Sequence, residues 1–372
     1  VSTLRLGGVV PAAGFSSRMG TCKALLGVGD RCALRRNVDL LRSAGVEEPV
    51  VVTGCYREIV EEEALVCGAR AVFNEGYEDG MFSSIRKGVE ALPYDLDAFF
   101  LLPVDIPMVR GATCVALAGV FINGVDIVYP AFRGLRGHPP LIGAALVPEI
   151  LAWNGEGGLR ALLEKHAERS AVVDVPDQGV AMDMDTPDDY RMLNELAARE
   201  YVPSETECLA FHEMLGSPPK VLAHCLATAK VARELGETLS PAGGVDPLLL
   251  HRAVLVHDIA RTRPRHAEAA GDILEQWGFP SLAGPVRVHM DIPQREPLLS
   301  NASLLYLADK LTSGAEIMSL ESRKQEMRER FAGDREALDA ALYRLARAGE
   351  IAQAFRNETG RSAQDLAVSA LQ

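Results

Sequence analysis

The feature that most constrains this chain is a change of texture near AAREYVPSET, residues 197–206. Before it, apolar runs rich in strand-forming residues alternate with amphipathic stretches. The runs are LRLGGVV (4–10), PVVVTG (49–54), ARAVF (69–73), DAFFLLPVD (97–105), VDIVYPA (125–131) and AVVDV (171–175); the stretches lie at 32–44, 56–66, 83–92 and 158–168. That alternation predicts a mostly parallel sheet covered by helices, since parallel neighbours need a crossover and a helix supplies it. After the change, strand-like runs nearly vanish, and Ala, Leu, Glu and Arg recur at helical spacing through to Gln372. Gly and Pro breaks fall at 216–219, 241–247, 278–285 and 293–297. The expectation is an α/β domain over 1–198 and an all-α domain over 205–372. The charged helical stretch after about residue 322 is expected to pack or oligomerise, and no chemistry is read in it.

A length of 372 residues agrees with two domains, taking about 150 residues for each. The net charge of −13 argues against a general binder of nucleic acid or of anionic membranes. Anionic ligands then need Lys, Arg, backbone N–H groups or metal ions gathered at the site itself. The seven cysteines, 22, 32, 55, 67, 114, 208 and 225, form no C-x-x-C pair. Buried reduced thiols are expected rather than a disulfide framework or a cysteine zinc site. No apolar run approaches a membrane span, and the first residues lack the basic and apolar regions of a signal peptide, so the expected location is cytoplasmic.

The first strand runs directly into PAAGFSSRMGTCK, residues 11–23. Gly14 and Gly20 permit close backbone approach. Ser16, Ser17 and the loop N–H groups, those of Ala12 and Ala13 among them, can bind phosphate oxygens, while Arg18 and Lys23 supply charge to a polyphosphate. Read alone, the loop also fits a plain glycine-containing β–α turn with surface cations. It is not a Walker A loop, because G-x-x-x-x-G-K-[ST] is absent.

AAGFSSRMG followed by Lys23 resembles the signature loop of nucleotidyltransferases of the molybdenum-cofactor type, (L)AAG-x-S-x-RMG-x-x-K. Ala13, just before Gly14, is more similar to the cytidylyltransferase branch than to the guanylyltransferase branch; Pro11 stands where the family usually has Leu. NEGYEDGMFSSIRKGVEAL (74–92) resembles the family's G-M-x-x-S segment, with Gly80, Ser83 and Ser84 at a helix start, where a serine can bind ligand or simply cap. FFLLPVDIPMV (99–109) reads as a strand ending in Asp105, where such sheets bind ligands, and an aspartate there suits Mg²⁺. FRGLRGHPPLIG (132–143) resembles the G-x-x-G-H-P segment, leaving His138 open between acceptor contact and loop structure. DMDTPDDY (183–190) resembles the D-x-DTP-x-D segment, with Asp185 as the second metal carboxylate; Thr186-Pro187 is also a good helix start. The match covers roughly 4–196. It implies a Rossmann-like nucleotidyltransferase fold and a Mg²⁺-dependent reaction. A phosphate on the acceptor, with molybdopterin suspected, attacks the α-phosphorus of a nucleoside triphosphate, with CTP favoured, and pyrophosphate leaves. Arg18, Lys23 and Asp105 are the implied catalytic residues, and no general base is needed because the nucleophile is already ionised.

Six of the eight histidines lie between 212 and 289. The informative set is His224, His257-Asp258 in LVHDIAR (255–261), His266, His289 and then Asp309 in LLYLADKL (304–311). LVHDIAR reads as helix, where neighbours diverge by about 100° and can approach a metal between them; a buried His–Asp hydrogen bond is the other reading. Imidazoles with carboxylates suit a divalent transition metal, or Mg²⁺ where oxygens dominate. The ordered set resembles the H…HD…D pattern of HD-domain phosphohydrolases over roughly 205–320. The resemblance implies a metal (Mn, Fe, Ni, Co, Zn or Mg) on His224, His257, Asp258 and Asp309, with Asp258 also catalytic through a bound water. His266 and His289 resemble the extra ligands of two-metal members, and His266 also fits a substrate contact. Ala260-Arg261 stands where many members have Gly-Lys; Arg261 and Lys310 remain cations for phosphate. His212 and His251 read as structural or surface, and His166 as solvated helix surface.

Three functions fit. The first is a nucleotidyltransferase fused to a metal-dependent phosphohydrolase acting on a nucleotide-like phosphate. In the second, the helical domain senses nucleotide or metal without turnover. In the third, the chain binds a pterin nucleotide and delivers it to a molybdoenzyme.

Overall fold

The computed structural model describes residues 4–121, 124–240 and 243–372. Residues 241 and 242, within one expected Gly/Pro break, lie outside the described residues. The chain divides into two compact units, Val1–Glu200 and Tyr201–Gln372.

In the first unit, one sheet holds β1 (Leu6–Pro11), β4 (Val50–Thr53), β5 (Arg70–Phe73), β6 (Ala98–Leu101), β7 (Ile127–Phe132), β8 (Leu135–Arg136), β9 (Leu141–Gly143) and β10 (Ser170–Asp174). A separate hairpin pairs β2 (Gly27–Val28) with β3 (Arg31–Cys32). The sheet order is β10-β7-β9-β6-β1-β4-β5, with β8 paired to β7. Strands β6, β1, β4 and β5 are mutually parallel, and β10 is parallel to β7. Antiparallel β9 sits between β6 and β7. Sequence periodicity does not mark β8 and β9, because two or three residues are too short to show alternation.

Helices α1 (Ala33–Ser43), α2 (Arg57–Val66), α3 (Met81–Glu90), α4 (Gly111–Val120), α5 (Val147–Ala152), α6 (Gly158–Glu164) and α7 (Pro187–Ala197) cover the sheet. α4 escapes the sequence reading because it is apolar almost all round, which removes the helical stripe. The order puts β1 near the centre of the parallel run β6-β1-β4-β5, so the loop leaving it emerges at the carboxyl edge of these strands. α3 packs on that centre through Ile85 and Val89, against Val9 of β1 and Val52 of β4. Gly88 makes the approach possible: a Cβ there would lie 2.3 Å from Val9 Cγ1 and 2.8 Å from Val52 Cγ2.

The second unit contains α8 (Glu205–Met214), α9 (Pro219–Leu239), α10 (Pro247–Val256), α11 (His266–Gln276), α12 (Pro280–Arg287), α13 (Asn301–Leu311), α14 (Leu320–Arg330), α15 (Arg335–Thr359) and α16 (Ala363–Leu371). One short hairpin, β11 (Thr312–Ser313) with β12 (Glu316–Ile317), departs from the all-α expectation. α13 is central: Leu304, Leu305, Tyr306, Leu307 and Ala308 are all fully buried. Phe211 of α8 meets Trp277 and Phe279 edge-on at 6.4 and 6.1 Å between ring centroids, joining α8 to the α11–α12 pair. All seven cysteines are free; Cys55 is exposed and Cys32 half-buried, unlike the buried thiols expected throughout. Among the described residues, no helix is long and apolar enough to cross a membrane.

Gly88→Ala is expected to destabilise the first unit by about 1–3 kcal/mol through overpacking, read as a lower denaturant midpoint for that unit's transition.

Candidate nucleotide and metal sites

The loop after β1 is shaped by Ser16. Its backbone is left-handed (φ 51°), its carbonyl accepts from Met19 and Gly20 N–H at 3.0 and 3.1 Å, and its hydroxyl accepts from Lys23 N–H at 3.1 Å. Gly20 turns at φ 66°, a value that favours glycine. The loop is tied to β4 by Ala12 N–H to Val52 O (2.9 Å) and Cys55 N–H to Ala13 O (3.2 Å). Asp105 lies in the turn four residues past β6 rather than at the strand end. Its carbonyl accepts from Met184 N–H at 2.8 Å, which draws the 183–185 segment alongside. Thr186 then caps α7 in a capping box with Asp189, so the helix-start reading of that segment holds as well.

These contacts bring four charged side chains together. Lys23 Nζ lies 2.6 Å from Asp185 and 3.4 Å from Asp105, and Arg18 lies 2.7 Å from Asp185. The hydrogen bond from Lys23, aided by Arg18, holds the Asp185 carboxyl below its usual range against a small burial effect. Asp183, which the sequence reading passed over, is raised by partial desolvation and by the like charges of Asp185 and Asp105. Three carboxylates close enough to repel one another are oxygen donors that fit a hard divalent cation.

A cavity of about 240 Å³ is lined by Ala12, Gly14, Ser16, Ser17, Arg18, Lys23, Asp105 and Asp185, with Met81. Several expected nucleotide contacts fall elsewhere. Ala13 is buried against Gly54, where an added Cβ would come within 2.7 Å of the Ala13 methyl, and Gly20 does not line the cavity. Gly80, Ser83 and Ser84 are also absent from its wall. Gly80 (φ 94°) starts α3, and both serine hydroxyls accept from Asn74 Nδ2, at 2.9 and 3.0 Å. Ser83 also donates toward the Gly76 and Gly80 carbonyls, 2.8 Å away, so its bonding capacity is used inside the protein.

His138 lines a second cavity of about 600 Å³ with Tyr129, Arg136 and Arg160; the two cavities share Pro11, Met81 and Pro103. Burial lowers the His138 pKa, and its Nδ1 is buried without a hydrogen-bond partner. His166 is not solvated surface: it bridges Glu149 (2.8 Å) and Asp126 (3.6 Å).

In the second unit, His257 stands just past the last residue of α10, at its C-cap. The HD pair therefore lies at a helix end rather than in a helix, though His257 keeps helical φ and ψ. His257 Nδ1 donates to Val254 O at 2.7 Å, which leaves Nε2 as the lone-pair nitrogen; that atom is buried with no hydrogen-bond partner. His289, just beyond α12, repeats the arrangement with Val286 O at 2.7 Å and an unpartnered Nε2. Two imidazoles oriented by carbonyls, each aiming a free Nε2 inward, are what a transition-metal site requires.

Around them, His224 of α9 hydrogen-bonds Asp309 of α13 at 3.1 Å, and His257 Nε2 lies 3.7 Å from Asp258 and 3.8 Å from Asp309. His266 and His289 approach Asp258 at 3.3 and 3.4 Å. Two trios able to hold an ion result, His224–His257–Asp258 and Asp258–His266–His289, with Asp258 shared. Burial alone would raise Asp258, but the facing His266 and His289 imidazoles, with His257 beside them, hold it well below the carboxylate range. Asp309 is low for a similar reason, with Lys310 and His224 overcoming its burial. Burial works against the charged form of His224, yet the bond to Asp309 leaves its pKa raised. Burial pushes His257 down to about 4. Arg261 reaches Asp258 at 3.4 Å and His266 at 3.0 Å. His212 and His251 stay out of this cluster, bonded to Leu255 O and to Arg233 and Arg252.

A cavity of about 670 Å³ opens onto His224, Asp258 and Asp309. Its wall includes Arg323, Met327, Arg330, Phe331, Arg344 and Leu345. The charged C-terminal stretch, expected from sequence to pack or oligomerise without chemistry, therefore faces the candidate site.

With this geometry in view, residues 8–170 match the family model of the MobA-like NTP transferase domain, and residues 221–314 match that of the HD domain. The chain thus joins a stretch similar to MobA-like NTP transferase domains to a stretch similar to HD domains. A curated relative from Bacillus mycoides (strain KBAB4), described as "Probable molybdenum cofactor guanylyltransferase", is 29% identical over 139 residues, covering 37% of this chain. The aligned stretch spans 66% of that relative's length. Rv0371c from Mycobacterium tuberculosis H37Rv, a solved structure, is 28% identical, with a TM-score of 0.47 over 52% of this chain and 100% of its own. A nucleotidyl transferase from Methanothermobacter is 27% identical, with a TM-score of 0.47 over 53% and 99%.

The buried neutral histidines set a pH dependence. His257 and His251 are both held near 4 in the fold, against an ordinary 6.5, so the unfolded chain takes up protons first as pH falls. Their stabilising effect is complete above pH 6.5 and is lost as pH falls through 4. In metal-stripped protein, denaturant midpoints of the second unit should fall across this window, each histidine contributing up to about 1.4 kcal/mol per pH unit.

Proposed function

We propose that the first unit transfers a nucleotidyl group, CMP from CTP, to a phosphorylated acceptor of the molybdopterin type, releasing pyrophosphate. The observation that carries this is the convergence of Arg18, Lys23, Asp105 and Asp185 in one cavity that shares a wall with a second, roomier one containing His138. The triphosphate binds in the smaller cavity, against the loop amides and Ser17, and the acceptor in the larger. Mg²⁺ on Asp105 and Asp185 would supply positive charge to the α-phosphoryl and leaving-group oxygens. Lys23 and Arg18 turn from Asp185 toward the triphosphate as it binds, and stabilise charge that grows on the departing pyrophosphate. The acceptor phosphate is ionised at neutral pH, so His138 serves as a contact and holds no reacting proton. A guanosine nucleotide is the second reading, favoured by the name of the Bacillus mycoides relative; Ala13 before Gly14 favours CTP.

The second unit, on the same reading, hydrolyses a phosphate ester or anhydride of a nucleotide-like molecule. A divalent metal on His224, His257, Asp258 and Asp309, with a second on Asp258, His266 and His289, would acidify a water and polarise a phosphoryl group. Asp258, reached from both trios, orients that water, and Arg261 and Lys310 draw in the phosphate.

Pyrophosphate release measured with each of the four nucleoside triphosphates, with and without molybdopterin, tests the first part. CTP with molybdopterin should give the highest rate, and Asp105→Ala or Lys23→Ala should lower it by about 100-fold or more. An unchanged rate in Asp105→Ala would overturn the assignment. For the second part, the purified chain should hold tightly bound divalent metal by elemental analysis. His257→Ala and Asp258→Ala should lose most of it together with phosphatase turnover. Metal retained with no turnover on a nucleotide panel would instead mark a sensor.

A further inference from the structure

The cavity that opens onto His224, Asp258 and Asp309 extends well past them. Its far wall comes from α14, the turn after it and α15, all outside the residues 221–314 that match the HD family. Six cations line it, Lys220, Arg261, Lys310, Arg323, Arg330 and Arg344, against two carboxylates, Asp258 and Asp309. In a chain of net charge −13 this is a local reversal of sign.

Three of the six are already engaged. Arg261 lies 3.4 Å from Asp258 and Lys310 2.6 Å from Asp309. Arg323 donates to the carbonyls of Asp309, Lys310 and Thr312, where it clamps the end of α13. Lys220, Arg330 and Arg344 pair with no carboxylate among the described residues. Like charges gathered on one cavity wall repel unless an anion lies among them. The same wall carries an apolar strip, Met327, Phe331 and Leu345, and the Arg330 guanidinium sits over the Phe331 ring at 5.4 Å. Such a pair offers a flat surface on which a planar ring can stack. The volume, about 670 Å³, is in the range of small-molecule sites.

We propose that the C-terminal helices α14 and α15 make this cavity selective for a ligand with at least two phosphates and a planar ring. One phosphate lies at the His224–Asp258–Asp309 end, the next is held by Lys220, Arg330 and Arg344, and the ring rests on Phe331, Met327 and Leu345. The proposal rests on the reading of the second unit as a phosphate-handling site. Both a nucleoside diphosphate and a pyrophosphate-linked dinucleotide present this chemistry.

The test uses the full chain carrying Lys23→Ala and Asp105→Ala, which silences the first unit's nucleotide cavity. With Mn²⁺ present, calorimetry compares four probes: CMP, inorganic pyrophosphate, the α,β-methylene analogue of CDP, and a methylene-bridged dinucleotide. The CDP analogue or the dinucleotide should bind about tenfold or more tightly than CMP and pyrophosphate, and which of the two binds better identifies the source. Arg330→Gln with Arg344→Gln should weaken that tighter probe by about tenfold or more while leaving CMP binding nearly unchanged. Phe331→Ala should remove its advantage over pyrophosphate. Lys220→Ala, on the exposed first turn of α9, gives a second reading should the arginine pair lower the melting temperature.

Equal affinity for CMP and the CDP analogue, binding insensitive to these substitutions, or no binding at all overturns the proposal. Loss of the hydrolase reading would look different: no Mn²⁺ held or no turnover, with Arg330- and Arg344-dependent binding intact.

Discussion

Asp258 is the interaction on which the second unit turns. A carboxylate so nearly buried is costly unless cations or hydrogen-bond donors surround it. Here His257, His266, His289 and Arg261 all come within 3.7 Å. They arrive from three places: the end of α10 and the turn beyond it, the start of α11 and the end of α12. Removing the carboxylate would therefore leave several buried polar groups facing one another, and the local packing would lose its reason to converge. The same residue belongs to both trios able to hold an ion, so stability and chemistry compete for one side chain.

The first unit solves a similar problem with half-buried charges. A central parallel strand ends, its loop folds around Ser16, and one backbone bond from Met184 to Asp105 sets two acidic segments side by side. Lys23 and Arg18 hold Asp185 in place, a pairing that a ligand of matching charge can replace. The larger cavity beside it has its own cation-over-ring contact, Arg136 above Tyr129 at 5.0 Å, and its own half-buried imidazole, His138.

Much of this was legible in the sequence. Strand runs bounded by Gly and Pro mark six of the eight strands of the large sheet, since these are long enough to show composition. The order of Arg18, Lys23, Asp105 and Asp185, and of His224, His257, Asp258 and Asp309, points to sets of groups that the fold does bring together. What stayed hidden has physical causes. Ser83 and Ser84 look like ligand contacts until Asn74 is seen to bond both, a pairing that no spacing reveals. Asp183 draws no notice in the sequence because like-charge crowding exists only in three dimensions. Arg330 and Arg344 read as ordinary helix charge, because a sequence does not tell which face of α14 or α15 meets a cavity.

The positions of His257 and His289 carry one more consequence. Each stands just past a helix C-terminus and donates to the carbonyl three residues back. Carbonyls in the last turn of a helix have no intrahelical donor, and the imidazole N–H supplies one. Two such helix ends point toward the same cluster, and each carries about half a negative charge from its aligned peptides. The backbone itself therefore makes this region attractive to a cation, beyond what Asp258 and Asp309 contribute.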